Sequence, residues 1–171
     1  MDVRKVVEDR FSVRSFAPRG IEPEELDAIL DVVRRAPTAV NYQPQRVYVL
    51  ESEEALAKLR TITRYHFDAP VVSMVCFDEE RAAKAPFFPE GNSGVIDATI
   101  VCDEMMLVAW ERGIGSCWVC AFDHEAAVRA FDLPPQVRPV ALLPIGYAAD
   151  GRGPSHLHHE TRPLGDMVTR L

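Results

Sequence analysis

The sequence contains little of what marks an extracellular or membrane protein. Its four cysteines in 171 residues lie within apolar stretches and not in a loop-rich disulfide framework, so we expect reduced thiols. No segment reaches the ~20 consecutive apolar residues that span a bilayer. The stretch Met1 to Lys5 lacks the apolar core of a signal peptide. These absences predict a cytoplasmic protein without a membrane partner.

Positive charge is also scarce. Lysine and arginine number 19 against 26 acidic residues, and the two signs are interleaved, so no broad cationic surface is expected for a nucleic-acid backbone. The remaining composition, 47% hydrophobic and 26% charged, is typical of a globular domain with a sizeable core. No internal repeat or low-complexity linker divides the chain. We therefore expect a single domain over residues 1–171 that does not bind nucleic acid.

Helical and strand patterns alternate along the chain, which predicts one mixed domain. Apolar spacing and capping residues predict helices at residues 2–10, 23–35, 53–63, 95–112 and 123–131. Apolar runs predict strands at residues 47–50, 71–77, 116–122 and 140–147. Residues 81–94 lack clear periodicity and are predicted to form a surface loop. The tail after residue 147 has little core pattern and is long enough to wrap over a neighbour.

The helix predicted at residues 95–112 is apolar around most of its circumference. Asp97, Glu104 and Glu111 recur every seven residues, and only that narrow stripe is expected to face water. A helix on the surface of a small monomer usually has one apolar face, and a wider exposed patch is unusual for a soluble monomer. The helix is therefore predicted to pack against another chain, or to be wrapped within its own domain.

Two polar stretches near the N-terminus contain groups that suit a phosphorylated heteroaromatic cofactor. Arg10 and Arg14 bracket Ser12 just past a predicted helix end, and the planar donor fork of arginine suits phosphate. Asn41 and Gln43 each offer a donor and an acceptor, which match the mixed edge of an isoalloxazine ring or its ribityl chain. A solvated basic turn and ordinary loop residues before a proline are the alternatives. Together the two stretches suggest a flavin.

The motifs of the chain resemble those of the nitroreductase superfamily of flavin-dependent oxidoreductases, in one of its shorter forms. The similar segments are residues 10–16, 36–44, 97–109, 113–123 and 139–147. The resemblance covers nearly the full length. It implies an α+β fold with a mostly antiparallel central sheet flanked by helices, and a homodimer with FMN bound at the subunit interface.

The resemblance also implies which residues contact FMN. These residues are Arg10, Phe11, Ser12, Arg14, Pro37, Thr38, Asn41, Gln43, Cys120, Ala121 and Arg162. Main-chain N–H groups at Cys120 and Ala121 are expected to face the ring near N5 and O4, where reduction places charge. Arg162 matches a basic residue that helps to hold the phosphate. Cys120 is a departure, because many members of the family have glycine there, and its side chain is expected either to crowd the flavin or to point into the core.

The resemblance implies an enzyme that passes electrons from NADH or NADPH through N5 of FMN to a small organic acceptor, such as a nitroaromatic, a quinone, a flavin or an enone. Because the cofactor carries the chemistry, no catalytic side chain and no metal are expected. Phe87 and Phe88 in the loop 81–94 are candidates for substrate contact, as a lid that stacks on a planar ligand. Alternatively they anchor the loop by packing inward.

Two other functions stay open. Cys117 and Cys120 form a C-x-x-C pair that could exchange disulfides or bind zinc, for which His156, His158 and His159 could supply further ligands. Both cysteines lie in a predicted strand, whereas a redox pair usually opens a helix. The second alternative is a module that binds flavin or a protein partner without turnover, since Cys120 and the altered tail lie near the expected cofactor.

Overall fold

The computed structural model describes residues 2–171 and has an α+β fold built on an antiparallel sheet of four strands. The strands lie side by side in the order β1 (Gln45–Leu50), β2 (Val71–Asp78), β4 (Val137–Gly146) and β3 (Gly115–Ser116). The helices are α1 (Val3–Asp9), α2 (Pro23–Leu30), α3 (Glu53–Ile62), α4 (Gly94–Glu111) and α5 (His124–Ala130). Every pairing of the named strands is antiparallel, so the predicted fold class is confirmed.

The two faces of the sheet belong to two separate cores. Val75 and Leu143 face the layer that contains α2 and α4, whereas Met74 and Leu142 face the layer that contains α3 and α5. All eight residues of β2 are buried, which explains why this strand is a nearly continuous apolar run in the sequence. The result is a helix–sheet–helix arrangement with α4 against the centre of the sheet.

Side-chain caps explain where several helices begin. The carboxylate of Asp2 accepts from the Arg4 N–H, and the Ser52 hydroxyl accepts from the Ala55 N–H at the start of α3. Pro23 occupies the first turn of α2, where its missing N–H needs no partner. The helix predicted to reach Arg35 ends at Leu30 and continues as a 3₁₀ turn over Asp31–Arg34.

The strand predicted at residues 116–122 is wrong over most of its length. Only Gly115–Ser116 forms a regular strand, and Val119 then makes an isolated antiparallel pair with Leu142. Beyond that pair the chain turns away from the sheet, because the Phe122 N–H donates to the Cys120 carbonyl and the Asp123 N–H donates to Ile62 at the end of α3. The last strand, β4, begins three residues earlier than predicted.

The prediction that Asp97 faces water is also wrong. Asp97 is 1% exposed, and its carboxylate accepts from the Ala39 N–H at 2.9 Å and from the Ser93 hydroxyl at 2.7 Å. The carboxylate therefore fixes the loop 36–44 against the first turn of α4. A buried carboxylate needs such donors, because desolvation without them is costly.

The outward face of α4 carries apolar side chains that are uncovered within one protomer, together with the exposed Thr99 and Asp103. Ile96 is 41% exposed, and the half-buried Ile100 and Leu107 follow it on the same side of the helix. Val3 of α1 is 72% exposed and lines a surface groove together with Leu107. The uncovered apolar side chains of α4 are consistent with the predicted contact with another chain.

No helix within residues 2–171 is long and apolar enough to cross a membrane.

Gly94 allows α4 to begin directly against β2. A Cβ at position 94 would lie 2.0 Å from Cδ2 of the Phe77 ring, which is 3% exposed and enclosed by the core. We expect Gly94→Ala to lower the free energy of unfolding by about 1–3 kcal/mol, as measured by urea denaturation. Gly20→Ala is the matched control, since no atom lies within 4 Å of a Cβ there. Equal stability of the two variants would contradict this account.

Candidate functional site

The N-terminal polar stretch leaves α1 and runs along the short strand β3. The Val13 N–H donates to the Ser116 carbonyl at 2.9 Å, and Ser12 pairs in parallel with Ser116. Gly115 makes this approach possible, because a Cβ there would lie 2.5 Å from Cγ2 of Val13. The backbone therefore holds the side chains of Ser12 and Arg14 at the edge of the sheet.

A cationic cavity of about 450 Å³ opens beside this stretch. Its lining residues are Arg10, Phe11, Ser12, Arg14, Ser155, Leu157 and His158. No carboxylate lines it, and neither Arg10 nor Arg14 forms an ion pair with any residue of the described chain 2–171. The guanidinium of Arg14 makes only a 3.5 Å contact with the Ser12 carbonyl. Two guanidinium groups without counter-charge suit a phosphate.

Arg14 also lines two further cavities, so the three form adjoining parts of one cleft. One, of about 230 Å³, extends along Ser15 to Arg152. The other, of about 210 Å³, lies between Arg14, the loop 64–68 and residues 117–121. The cleft therefore has a cationic end near His158 and a second end, near Ala121, with aromatic walls. We refer to these as the phosphate end and the ring end.

The ring end presents main-chain donors that have no partner. Within the described residues, the N–H groups of Cys120 and Ala121 have no acceptor, and both residues line the cavity. The Ala121 carbonyl accepts from the Thr63 hydroxyl at 2.7 Å, which holds this segment in place. The Cys120 side chain is exposed and its Sγ accepts from Nε1 of Trp118 at 3.1 Å, so it does not point into the core.

The sequence interpretation missed the aromatic wall of the ring end. Tyr65 and Phe67 line the cavity opposite Arg14, with 6.2 Å between their ring centroids. The Thr63 hydroxyl accepts from the Tyr65 N–H at 3.1 Å while it donates to Ala121, so it connects the wall to the free donors. The signal that could have indicated this wall is an aromatic pair just before the buried strand β2.

The two cysteines of the C-x-x-C pair lie in different surroundings. Burial raises the pKa of the Cys117 thiol, and the opposing effects of Arg14 and of a hydrogen bond with Ser12 do not reverse this. Cys120 is exposed. No three histidine, cysteine, aspartate or glutamate side chains in the part of the chain that the structure describes lie close enough together to hold a metal ion. The geometry offers no support for the zinc alternative.

The second polar stretch lies at the opposite end of α4 from the phosphate end of the cleft. The Ala39 N–H is bonded to Asp97 near the start of α4, whereas Phe11 packs edge-on against Trp110 near its end, with 5.1 Å between ring centroids. The helical rise between positions 97 and 110 corresponds to about 20 Å. One protomer therefore does not bring the loop 36–44 to the Arg10 end of the cleft.

The amides of this loop are displayed outward. Asn41 and Gln43 are exposed and have positive φ angles of 54° and 50°, and Nε2 of Gln43 donates to Oδ1 of Asn41 at 3.2 Å. The Thr38 hydroxyl accepts from the Gln43 N–H at 3.1 Å, and exposed Pro37 precedes it. The loop is therefore a preformed polar surface on which Asn41 and Gln43 are exposed.

Three other predicted contact residues lie outside the cleft. Phe87 is 81% exposed, and the half-buried Phe88 packs against it with 5.0 Å between ring centroids. Arg162 belongs to the exposed tail and lines none of the three cavities. The tail contributes Ser155, Leu157 and His158 to the phosphate end. Of these, His158 is the basic residue, which the sequence interpretation considered only as a zinc ligand and as part of an altered tail.

The chain is similar to known proteins along nearly its whole length. The family model described as "Nitroreductase family" matches residues 7–70 and 65–147. A protein of Methanothermobacter thermautotrophicus, whose name combines NADH dehydrogenase with NAD(P)H nitroreductase, is 31% identical over 169 residues, 95% of this chain and 85% of its own. FMN reductase (NAD(P)H) of Bacillus subtilis is 27% identical over 166 residues, 87% and 67% of the two chains. The crystal structure of a nitroreductase family protein from Clostridium difficile 630 has a TM-score of 0.91 at 37% identity and covers 99% and 98% of the two chains.

Proposed function

The chain belongs to the nitroreductase family, and on that premise we propose that it is an FMN-dependent oxidoreductase that takes electrons from NADH or NADPH and passes them to a small organic acceptor. The observation that supports FMN most directly is the cleft with uncompensated arginines at one end and unpaired N–H groups at the other. These ends fit a cofactor with a phosphate and a polar ring edge. The similarity to an FMN reductase that uses NAD(P)H points the same way.

When bound, FMN supplies the redox chemistry. The chain's own residues bind and orient it: Arg10 and Arg14 neutralise the phosphate, and Ser12 lines the same space. The N–H groups of Cys120 and Ala121 stabilise negative charge at the polar ring edge, since fixed donors need no reorganisation. Thr63 keeps these donors in position through the Ala121 carbonyl.

The ring end also constrains the acceptor. Tyr65 and Phe67 form a half-buried aromatic wall there, and flat conjugated molecules stack on such walls. We therefore propose a planar acceptor, such as a nitroaromatic, a quinone, a free flavin or an enone. Phe87 and Phe88 do not line the ring end, but Glu90 and Asn92 of the same loop share a cavity of about 460 Å³ with Trp118 and Cys120. We propose that a movement of this loop, or the loop of a second protomer, brings the two phenylalanines to the acceptor.

We further propose a homodimer in which each FMN site combines the cleft of one protomer with the loop 36–44 of its partner. The two polar stretches lie at opposite ends of α4, and the outward face of α4 between them carries uncovered apolar side chains such as Ile96. If the two α4 helices pack antiparallel through this face, the start of each helix lies beside the end of the other. That packing places Thr38, Asn41 and Gln43 of one protomer opposite the partner's cleft.

The same dimer gives the exposed tail a surface to cover. Within residues 164–168, three apolar side chains are exposed: Leu164 is 70% exposed, Met167 is 53% exposed and Val168 is 52% exposed. We propose that this segment packs on the partner protomer. The predicted phosphate contact of Arg162 depends on this packing, because Arg162 does not line the cleft of its own protomer.

An absorbance spectrum of the purified protein, recorded before and after anaerobic addition of NADH or NADPH, tests the proposed function. We expect flavin absorbance that bleaches with at least one nucleotide and returns when a quinone or nitroaromatic is added. Flavin absorbance that neither nucleotide bleaches would favour the binding module without turnover. A colourless protein that does not take up added FMN would contradict the proposal.

A further inference from the structure

We propose that His158 contacts the FMN phosphate and that its protonation makes FMN affinity dependent on pH. This inference rests on the proposed function, because it concerns the phosphate end of the same cleft. Within one protomer it gives to His158 the phosphate contact that the sequence predicted for Arg162.

His158 is the point at which the tail enters the cleft. Of residues 151–171, all of which the structure describes, it alone is not exposed. Its ring lies edge-on to Phe11 with 6.3 Å between centroids, and its backbone N–H donates to the Ser155 carbonyl at 2.9 Å. The Ser155 Oγ accepts from the Leu157 N–H at 3.3 Å, which leaves its O–H free to donate into the cavity. Ser155 and His158 thus face Arg10 and Arg14 across one space.

The charged and titratable groups around His158 are mostly cations. Arg10 and Arg14 face it from the N-terminal segment, and His159 touches it from its own turn with 4.8 Å between ring centroids. Arg152 lines the adjoining cavity, which shares Ser155 with this one. No carboxylate lines either cavity. Without a bound anion, these cations repel a positive charge on the His158 ring. A bound phosphate attracts that charge instead.

The direction of the pH effect follows from linkage. A histidine that gains an anionic partner on binding holds its proton more tightly in the complex, so the ligand binds more tightly where the histidine is charged. Its contribution is present at low pH and is lost as pH rises through the range in which imidazole groups deprotonate. A phosphate monoester gains its second charge near pH 6, which acts in the opposite direction. The contribution of His158 is therefore measured as the ratio of the FMN dissociation constants of the variant and the wild type at the same pH.

The experiment measures the Kd of FMN by quenching of its fluorescence for the wild type, His158→Gln and His158→Arg. At about pH 6 we expect His158→Gln to bind FMN roughly tenfold more weakly than the wild type, and at about pH 8.5 we expect nearly equal affinities. His158→Arg should keep the tighter affinity at both pH values, because arginine stays charged. Riboflavin, which lacks the phosphate, should bind all three proteins equally.

The neighbouring exposed histidine provides a matched control, and His159→Gln should leave FMN affinity unchanged at both pH values. A loss in His158→Gln that is the same at both pH values, or equal for FMN and riboflavin, would show that His158 only supports the tail and would overturn the inference. Unchanged affinity in His158→Gln at low pH would overturn it as well. A wild-type protein that binds neither flavin would instead refute the proposed function itself.

Discussion

Replacement of Ile100 by glutamate is expected to convert the dimer into monomers that no longer retain FMN. Ile100 lies at the middle of the outward face of α4, between Ile96 and Leu107. Two symmetry-related carboxylates buried there without partners would cost several kcal/mol, so we expect the dimer dissociation constant to rise about 1,000-fold. Light scattering coupled to size exclusion measures the mass, and absorbance measures FMN per chain.

A second variant separates dissociation from unfolding. Ile96 is 41% exposed in the protomer, so Ile96→Glu should leave the monomer folded while it also breaks the contact. Thr61→Glu on α3 is the matched control, because it adds the same charge to an exposed position on the opposite layer and should stay dimeric with FMN bound. A wild-type monomer, or a dimer that survives both changes in α4, would contradict the interface.

The pattern of α4 could be predicted only in part from the sequence. Within one protomer the buried residues of α4 repeat at intervals of three and four, so one face packs against the core, and the apolar residues on the other side stay partly uncovered. The heptad spacing of its acids did not reveal that Asp97 is buried, because its partner, the Ala39 N–H, lies 58 residues away along the chain. The spacing of polar residues along a helix shows which positions are polar. It does not show which of them accept a hydrogen bond from a donor far away in the sequence.

The strand predicted at residues 116–122 failed for a similar reason. Its residues are apolar enough for a strand, but hydrogen bonds from Phe122 to Cys120 and from Asp123 to Ile62 draw the chain off the sheet. That departure leaves the Cys120 and Ala121 N–H groups free, so the irregular segment is the part of the site that a strand assignment would have concealed.

The candidate site was predictable where it depends on short motifs and unpredictable where it depends on chain path. The residues around Arg10 and Arg14 lie together at one end of the cleft, as their adjacency in sequence suggests. Tyr65 and His158 reach the same cleft from segments about 50 and 150 residues away. Only the tertiary fold brings such segments together, so no local pattern could assign them.

The division of the site between two protomers leads to an expected result with mixed dimers. Arg10→Ala removes a phosphate contact, and we expect FMN binding to weaken by about 1.5–3 kcal/mol, or roughly 10- to 150-fold, in a protein that stays folded. Asn41→Asp with Gln43→Glu keeps the shape of the loop but removes its amide donors, and should weaken FMN binding in its own homodimer. Unchanged affinity in Arg10→Ala would mean that the motif is structural only.

A dimer that contains one chain of each variant is expected to regain one tight FMN site. If each site takes its cleft from one protomer and its loop from the other, the mixed dimer has one site with both defects and one site that is entirely wild type. If cleft and loop belonged to the same protomer, every site would keep one defect and none would recover. Co-expression with two affinity tags isolates the mixed dimer, and FMN titration counts its tight sites. The outcome therefore distinguishes a shared site from two independent ones, and the apolar face of α4 favours the shared site because it lies between the two halves.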